Sequence, residues 1–244
     1  MLKYAQDNYD FYETPAHHSN KLYEDYNPKY QVNVIDICCG LGSLCQPWYD
    51  NGHNVTLVEL NDNFIPILKE KYPKANIMNI DFLSSQLNDE YDVYLCNPPF
   101  NTSDQKQIFI YFFCKILMHM NNDCVLYFIC PRMFYKNQME VKIEYEIIDR
   151  FQLLDHLKQY YKVPAHYYFN KYGLIELDSN GFRFNHAIIK RMKAKGIIDD
   201  DFICNDDFMI NPYFEFRYLG NIFDFQQTKM QCGIFVAQFS RNLN

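Results

Sequence analysis

Long hydrophobic runs are missing from this chain. The longest, Ile108 to Met120, is interrupted by Lys115 and His119; it is too short for a bilayer span and reads as a buried helix. The opening Met1-Leu2-Lys3-Tyr4-Ala5-Gln6-Asp7-Asn8 has no apolar segment, so neither a secretory signal nor a membrane anchor is expected and the protein is expected in the cytoplasm. No C-x-x-C pair occurs among the nine cysteines, which are expected to be buried free thiols in a reducing compartment. The seven histidines show no ligand spacing, so no metal is expected. Basic charge is scarce too. Against 30 acidic residues stand 23 Lys and Arg, a net charge of −7, which excludes coating nucleic acid by charge alone but leaves room for an enzyme with one local basic patch. Repeats, low-complexity tracts and Ser/Gly linkers are absent, and 244 residues suffice for one core with a small appendage.

What the sequence does have is a row of short apolar segments ending in polar or acidic residues: Val32–Cys38, Asn54–Leu60, Ala75–Asp81 and Tyr91–Asn97. They are rich in Val, Ile and Leu and too continuous for half-exposed strands. Helices fit between them, from Ser43 to about Asp50 and from about Asp62 to Tyr72, with Pro66 tolerable only in the first turn. This alternation predicts a parallel sheet with right-handed crossovers. Beyond Asn97 the pattern predicts a helix over Asp104–Met118 capped by Ser103 or Asp104, a buried strand over Cys124–Cys130, a helix from about Gln138 to Leu157, and a strand over Phe182–Lys190.

Chemistry is expected where these strands end. The first runs into Asp36-Ile37-Cys38-Cys39-Gly40-Leu41-Gly42, a glycine turn that lets backbone approach a ligand; the dinucleotide fingerprint would place Gly or Ala where Cys45 stands. The second ends at Glu59, placed to accept hydrogen bonds from a ribose diol. The third ends at Asp81-Phe82, an acid and an aromatic suited to an adenine's amino group and face, or a simple capping Asp. The fourth ends Asn97-Pro98-Pro99-Phe100, where two prolines stop the ladder and fix φ, so the carbonyls of Asn97 and Pro98 can be held toward one pocket beside a flat ring. Ligands of parallel sheets bind at the strands' carboxyl ends, so the four endings share one edge.

With these residues the chain resembles S-adenosylmethionine-dependent amino-methyltransferases carrying an N/D-P-P-Y/F/W motif, above all N6-adenine DNA methyltransferases of gamma-class motif order. The resemblance implies a Rossmann-like α/β class I fold, a mostly parallel seven-stranded sheet flanked by helices, with a small C-terminal extension. It implies an N-terminal cofactor-closing segment over residues 1–30, a catalytic domain over 31–195, and an extension over 196–244 packed on the same domain. The implied cofactor residues are Thr14, Pro15, Asp36, Cys38, Gly40, Gly42, Glu59, Asp81, Phe82 and Asn97, with Thr14-Pro15 matching the element that closes over the methionine moiety. The implied catalytic set is Asn97, Pro98, Pro99 and Phe100; Phe100 and Phe169 would stack on a flipped-out base. DNA is the expected partner. RNA, a protein glutamine and a non-catalytic nucleic-acid-binding subunit are the alternatives, and an acidic chain with about 50 residues after Lys195 is short of a target-recognition domain. The basic runs Arg132–Lys136 and Lys190–Lys195 read as solvated faces, and Asn211-Pro212-Tyr213-Phe214 as a turn.

Overall fold

Segments that are apolar on both faces need helices on both sides, and the chain supplies them in alternation. A computed structural model describes residues 12–87, 89–101, 108–120, 124–131, 175–178, 181–184, 186–199, 214–222 and 232–239. In chain order the elements are α1 (Ala16–Tyr26), β1 (Asn33–Ile37), α2 (Gln46–Asp50), β2 (Asn54–Glu59), α3 (Ile65–Lys71, after a 3-10 turn Asp62–Phe64), β3 (Asn76–Asn79), β4 (Val93–Cys96), α4 (Phe109–His119), β5 (Val125–Pro131), β6 (Ile175–Asp178), β7 (Gly181–Phe184), α5 (His186–Ala194), β8 (Phe214–Ile222) and β9 (Cys232–Phe239).

The central sheet has seven strands in the order β3-β2-β1-β4-β5-β9-β8. β3 to β5 pair in parallel, and β9 runs antiparallel to both neighbours. Residues 214–222 and 232–239 therefore lie within the sheet. β1 to β5 fall where the apolar runs place them, but β3 is an edge strand with no fully buried residue. The strand expected over Phe182–Lys190 stops at Phe184: it pairs with β6 in a separate hairpin, and α5 begins at His186. The expected caps Ser103 and Asp104, the helix over 138–157, Phe169, and Asn211 to Tyr213 lie outside the described residues.

Alternate residues of the parallel strands feed two cores. Ile35, Ile37, Tyr94, Cys96, Leu126 and Phe128 pack beneath α4 and α5. Val34, Leu57, Leu95, Tyr127 and Ile129 pack with Leu22, Trp48 and Leu68 of α1, α2 and α3 and with Ile234 and Val236 of β9. Pro47 and Pro66 sit in the first turns of α2 and α3, where no N–H is needed. The eight described cysteines are free thiols, all buried except half-buried Cys38. Among the described residues no helix is long and apolar enough to cross a membrane.

Gly42, at φ +75°, is required by packing. A Cβ there would stand 2.4 Å from Cε2 of Tyr72, whose hydroxyl donates to the Gly42 carbonyl at 2.7 Å. Gly52, at φ +79°, has open space instead. Gly42→Ala is expected to cost about 2–4 kcal/mol, against about 1 kcal/mol of backbone strain for Gly52→Ala. Thermal denaturation of the two variants checks it; equal losses would refute the role given to Tyr72.

Candidate active site

The glycine turn leaves β1 with left-handed residues at every second position: Cys38 at φ 61°, Gly40 at 55° and Gly42 at 75°. Two are glycines; at Cys38 the conformation costs about 1–2 kcal/mol and is held by its surroundings. Part of that hold comes from β2. Glu59, its last residue, accepts the Gly40 N–H at 2.7 Å on one carboxylate oxygen and the Asn61 N–H at 2.8 Å on the other. Burial pushes the Glu59 carboxyl up, and those N–H groups pull it back. Val58 adds a carbonyl that accepts the Cys39 N–H at 3.1 Å.

Asp36 lies beneath this turn, 1% exposed, with no hydrogen-bond partner on either oxygen. Burial pushes its carboxyl up to about 8; the Cys45 thiol and N–H lie near enough to ease it but make no hydrogen bond to it. That thiol is bonded to the Gly42 carbonyl at 3.2 Å. A buried acceptor without a hydrogen bond is costly, and here it lines a cavity.

At β3's end, Asp81 takes the Leu83 N–H on Oδ1 at 2.9 Å and the Ser84 N–H on its carbonyl at 3.2 Å, so it does cap a turn. Phe82 is buried and stacks on Phe112 with centroids 5.8 Å apart and planes 12° from parallel.

After β4, the Asn97 side-chain nitrogen donates to the Tyr12 carbonyl at 3.1 Å and to Thr14 Oγ1 at 3.2 Å. A carbonyl only accepts, so the nitrogen must face residues 12–14 and Oδ1 must face the other way. That N-terminal strap is tied down by Ser43, whose hydroxyl donates to Glu13 Oε1 at 2.7 Å and whose carbonyl accepts from Ser19 Oγ at 2.7 Å.

One cavity of about 220 Å³ joins these groups; Thr14, Asp36, Cys38, Gly40, Glu59, Asp81, Phe82, Asn97 and Pro99 form part of its wall. Four expected residues do not line it. Pro15 precedes α1, Gly42 turns toward Tyr72, Pro98 is buried away from the lining, and half-buried Phe100 meets Phe109 edge-on at 5.9 Å. Residues not singled out in the sequence join the wall, notably Tyr12, Ser43, Leu60, Asn61 and Phe112. Tyr12 acts through its carbonyl, which no residue type announces. Phe112 carried a signal, one helical turn from Ile108 and Phe109 on an apolar face.

Residues 17–161 match the family model described as the methyltransferase small domain, more than half of the chain. The chain belongs to that family. It is 26% identical over 132 residues to ribosomal RNA small subunit methyltransferase A of Streptococcus agalactiae, covering 53% of this chain and 42% of that protein. The chain spans less than half the length of the curated relatives it matches. Among solved structures, the 23S rRNA methyltransferase ErmE superposes with a TM-score of 0.55 at 14% identity, over 96% of this chain and 71% of its own. A dimethyladenosine transferase from Plasmodium falciparum gives 0.53 at 11%, over 94% and 62%. At such identities the likeness is one of fold: a Rossmann-like α/β methyltransferase domain.

S-adenosylmethionine is the cofactor of this family, and the cavity fits it. Unpartnered Asp36 offers an acceptor to an ammonium group, Glu59 keeps lone pairs for hydroxyls, and Val58, Leu60, Ile80 and Phe82 supply an apolar wall for a purine.

Because Asp36 titrates near 8 when folded and at an ordinary 3.8 when unfolded, the folded state holds the extra proton between those values. Stability from this group is complete below 3.8 and drains away as pH rises toward 8. Asp36→Asn, which cannot ionise, is therefore expected to gain on the wild type across that interval in the absence of cofactor. Paired thermal midpoints from pH 4 to pH 9 measure this, and a pH-independent difference would contradict it.

Proposed function

We propose that this methyltransferase domain methylates the exocyclic amino nitrogen of adenine in RNA. The observation that carries the reading is the Asn97 amide, whose nitrogen is committed to the strap so that its oxygen is left for an incoming N–H. An adenine amine is a poor nucleophile because its lone pair is delocalised into the ring. Asn97 Oδ1 and the Pro98 carbonyl accept its two N–H bonds, draw the nitrogen toward tetrahedral geometry and free the lone pair for attack.

The bound cofactor supplies an electrophilic methyl group. With it bound, the amine nitrogen held by Asn97 and Pro98 would take the methyl group as the sulfur releases it, and the methylated amine would shed a proton to water. An amide has no basic pKa, so Asn97 orients and stabilises and does not abstract a proton before attack. Phe100 stacks on the target ring; Phe169, outside the described residues, is the second stacking candidate. Asp36 would hold the cofactor's ammonium group, Glu59 its ribose hydroxyls, and Asp81 and Phe82 its adenine.

RNA replaces DNA as the favoured substrate because of the relatives' names. The curated relatives are ribosomal RNA methyltransferases, and the ErmE and dimethyladenosine transferase folds are named for RNA and for a methylated adenosine. A net charge of −7 fits an enzyme that meets a folded target through local contacts.

Purified protein with labelled S-adenosylmethionine is expected to label unmodified ribosomal RNA, recovered after digestion as N6-methylated adenosine. Asn97→Ala is expected to lower that rate at least about 100-fold with cofactor affinity within a few-fold. Label appearing in DNA adenine or protein glutamine, and not in RNA, would overturn the substrate; cofactor binding with no acceptor labelled would overturn the activity.

A further inference from the structure

An asparagine amide can present either end to a substrate, and only one end serves here. Turned over, Asn97 would set its oxygen against the Tyr12 carbonyl and its N–H groups against the N–H groups of the incoming amine. Nothing within the Asn97-Pro98-Pro99-Phe100 motif forbids that rotation. The restraint comes from a segment more than 80 residues away in sequence: the Tyr12 carbonyl at 3.1 Å and Thr14 Oγ1 at 3.2 Å. Both accept from the same nitrogen.

The strap has its own anchors. Thr14 is 5% exposed. Glu13 between the two acceptors is held by the Ser43 hydroxyl at 2.7 Å, and the Ser43 carbonyl is held by Ser19 of α1 at 2.7 Å. Behind it, the His18 N–H returns to the Pro15 carbonyl at 3.0 Å and fixes the entry into α1. Ser43 directly follows Gly42 of the glycine turn, so the cavity floor and the catalytic amide are joined through residues 12–14.

We propose that residues 12–14 are a latch that holds the Asn97 amide in its productive rotamer: the Tyr12 carbonyl, which only accepts, sets which end faces the strap, and Thr14 is the positioning residue that anchors that end. The proposal rests on the reading of Asn97 as the group that orients the amine. It assigns Thr14 an action on the protein's own side chain, apart from any contact with cofactor.

Thr14→Val keeps the shape and removes the acceptor; Thr14→Ser keeps the acceptor. The first readout is the pair of Asn97 side-chain N–H signals in 15N-labelled protein, identified by their loss in Asn97→Ala. Hydrogen exchange of these signals is expected to be about tenfold faster in Thr14→Val and restored in Thr14→Ser. Ser43→Ala, which slackens the strap without touching Asn97, is expected to speed the same exchange and decides the matter if Thr14→Val does not fold.

The second readout is kinetic. At saturating S-adenosylmethionine and RNA, kcat of Thr14→Val is expected to fall about tenfold while the Kd of S-adenosylhomocysteine stays within twofold, and Thr14→Ser is expected to recover it. Unchanged exchange in both Thr14→Val and Ser43→Ala would overturn the latch. So would a Thr14→Val that loses S-adenosylhomocysteine affinity but keeps kcat, since Thr14 would then be a cofactor contact. If wild-type protein labels no RNA, the substrate reading fails by itself and the exchange measurement still decides the latch.

Discussion

The whole site hangs on the parallel register at the centre of the sheet. Ile37 pairs with Val58 on one side and with Cys96 on the other. The next residue of each strand, Cys38, Glu59 and Asn97, therefore emerges at one level on one edge. A slip of one residue in either pairing would turn every side chain of that strand to the opposite face and separate Glu59 from the Gly40 N–H that it holds. The two cores hold this register, because β1, β2, β4 and β5 are apolar on both faces and any slip would drive core residues into the wrong layer.

Within that frame the site stores two unfavourable features. Cys38 is left-handed without being glycine, and Asp36 is buried without a donor. Both belong to the turn over the cavity, and both costs are local to it. A ligand bringing a cationic group would convert the Asp36 carboxyl from a neutral buried acid into one half of an ion pair, offsetting a cost the empty fold carries. The Asp36 cost thus lies where a bound cationic group would offset it.

The parallel part of the sheet and the edge where its strands end beside the cavity were legible in the sequence, because apolar runs with abrupt polar endings are a local signal. Asp36, Glu59, Asp81 and Asn97 were readable for that reason. Position alone did not say how each is engaged: Asp81 spends Oδ1 on a turn, and Gly42 answers to Tyr72 thirty residues on. β8 and β9 were not recognised, although Phe214, Phe216 and Tyr218 alternate along the first, because their partners are each other and a strand about 100 residues earlier. β7 and α5 were merged into one strand, since the alternation in Phe182 and Phe184 ran on through His186 to Ile188 with no glycine or proline to stop it. The strap's hold on Asn97 was equally hidden: one acceptor is a main-chain carbonyl, which any residue type provides. The proposal of RNA over DNA rests on what the relatives are named for and on no residue of this chain.

With its nitrogen held by the strap, the Asn97 side chain has its oxygen left to meet an adenine amine. A crystal structure of the protein with S-adenosylhomocysteine and adenosine monophosphate tests it most directly. The account predicts the adenine N6 within hydrogen-bonding distance of both Asn97 Oδ1 and the Pro98 carbonyl, with the Asn97 nitrogen still on Tyr12 and Thr14. Adenine seated with N6 away from Asn97, or an Asn97 amide turned so that its nitrogen faces the base, would contradict it.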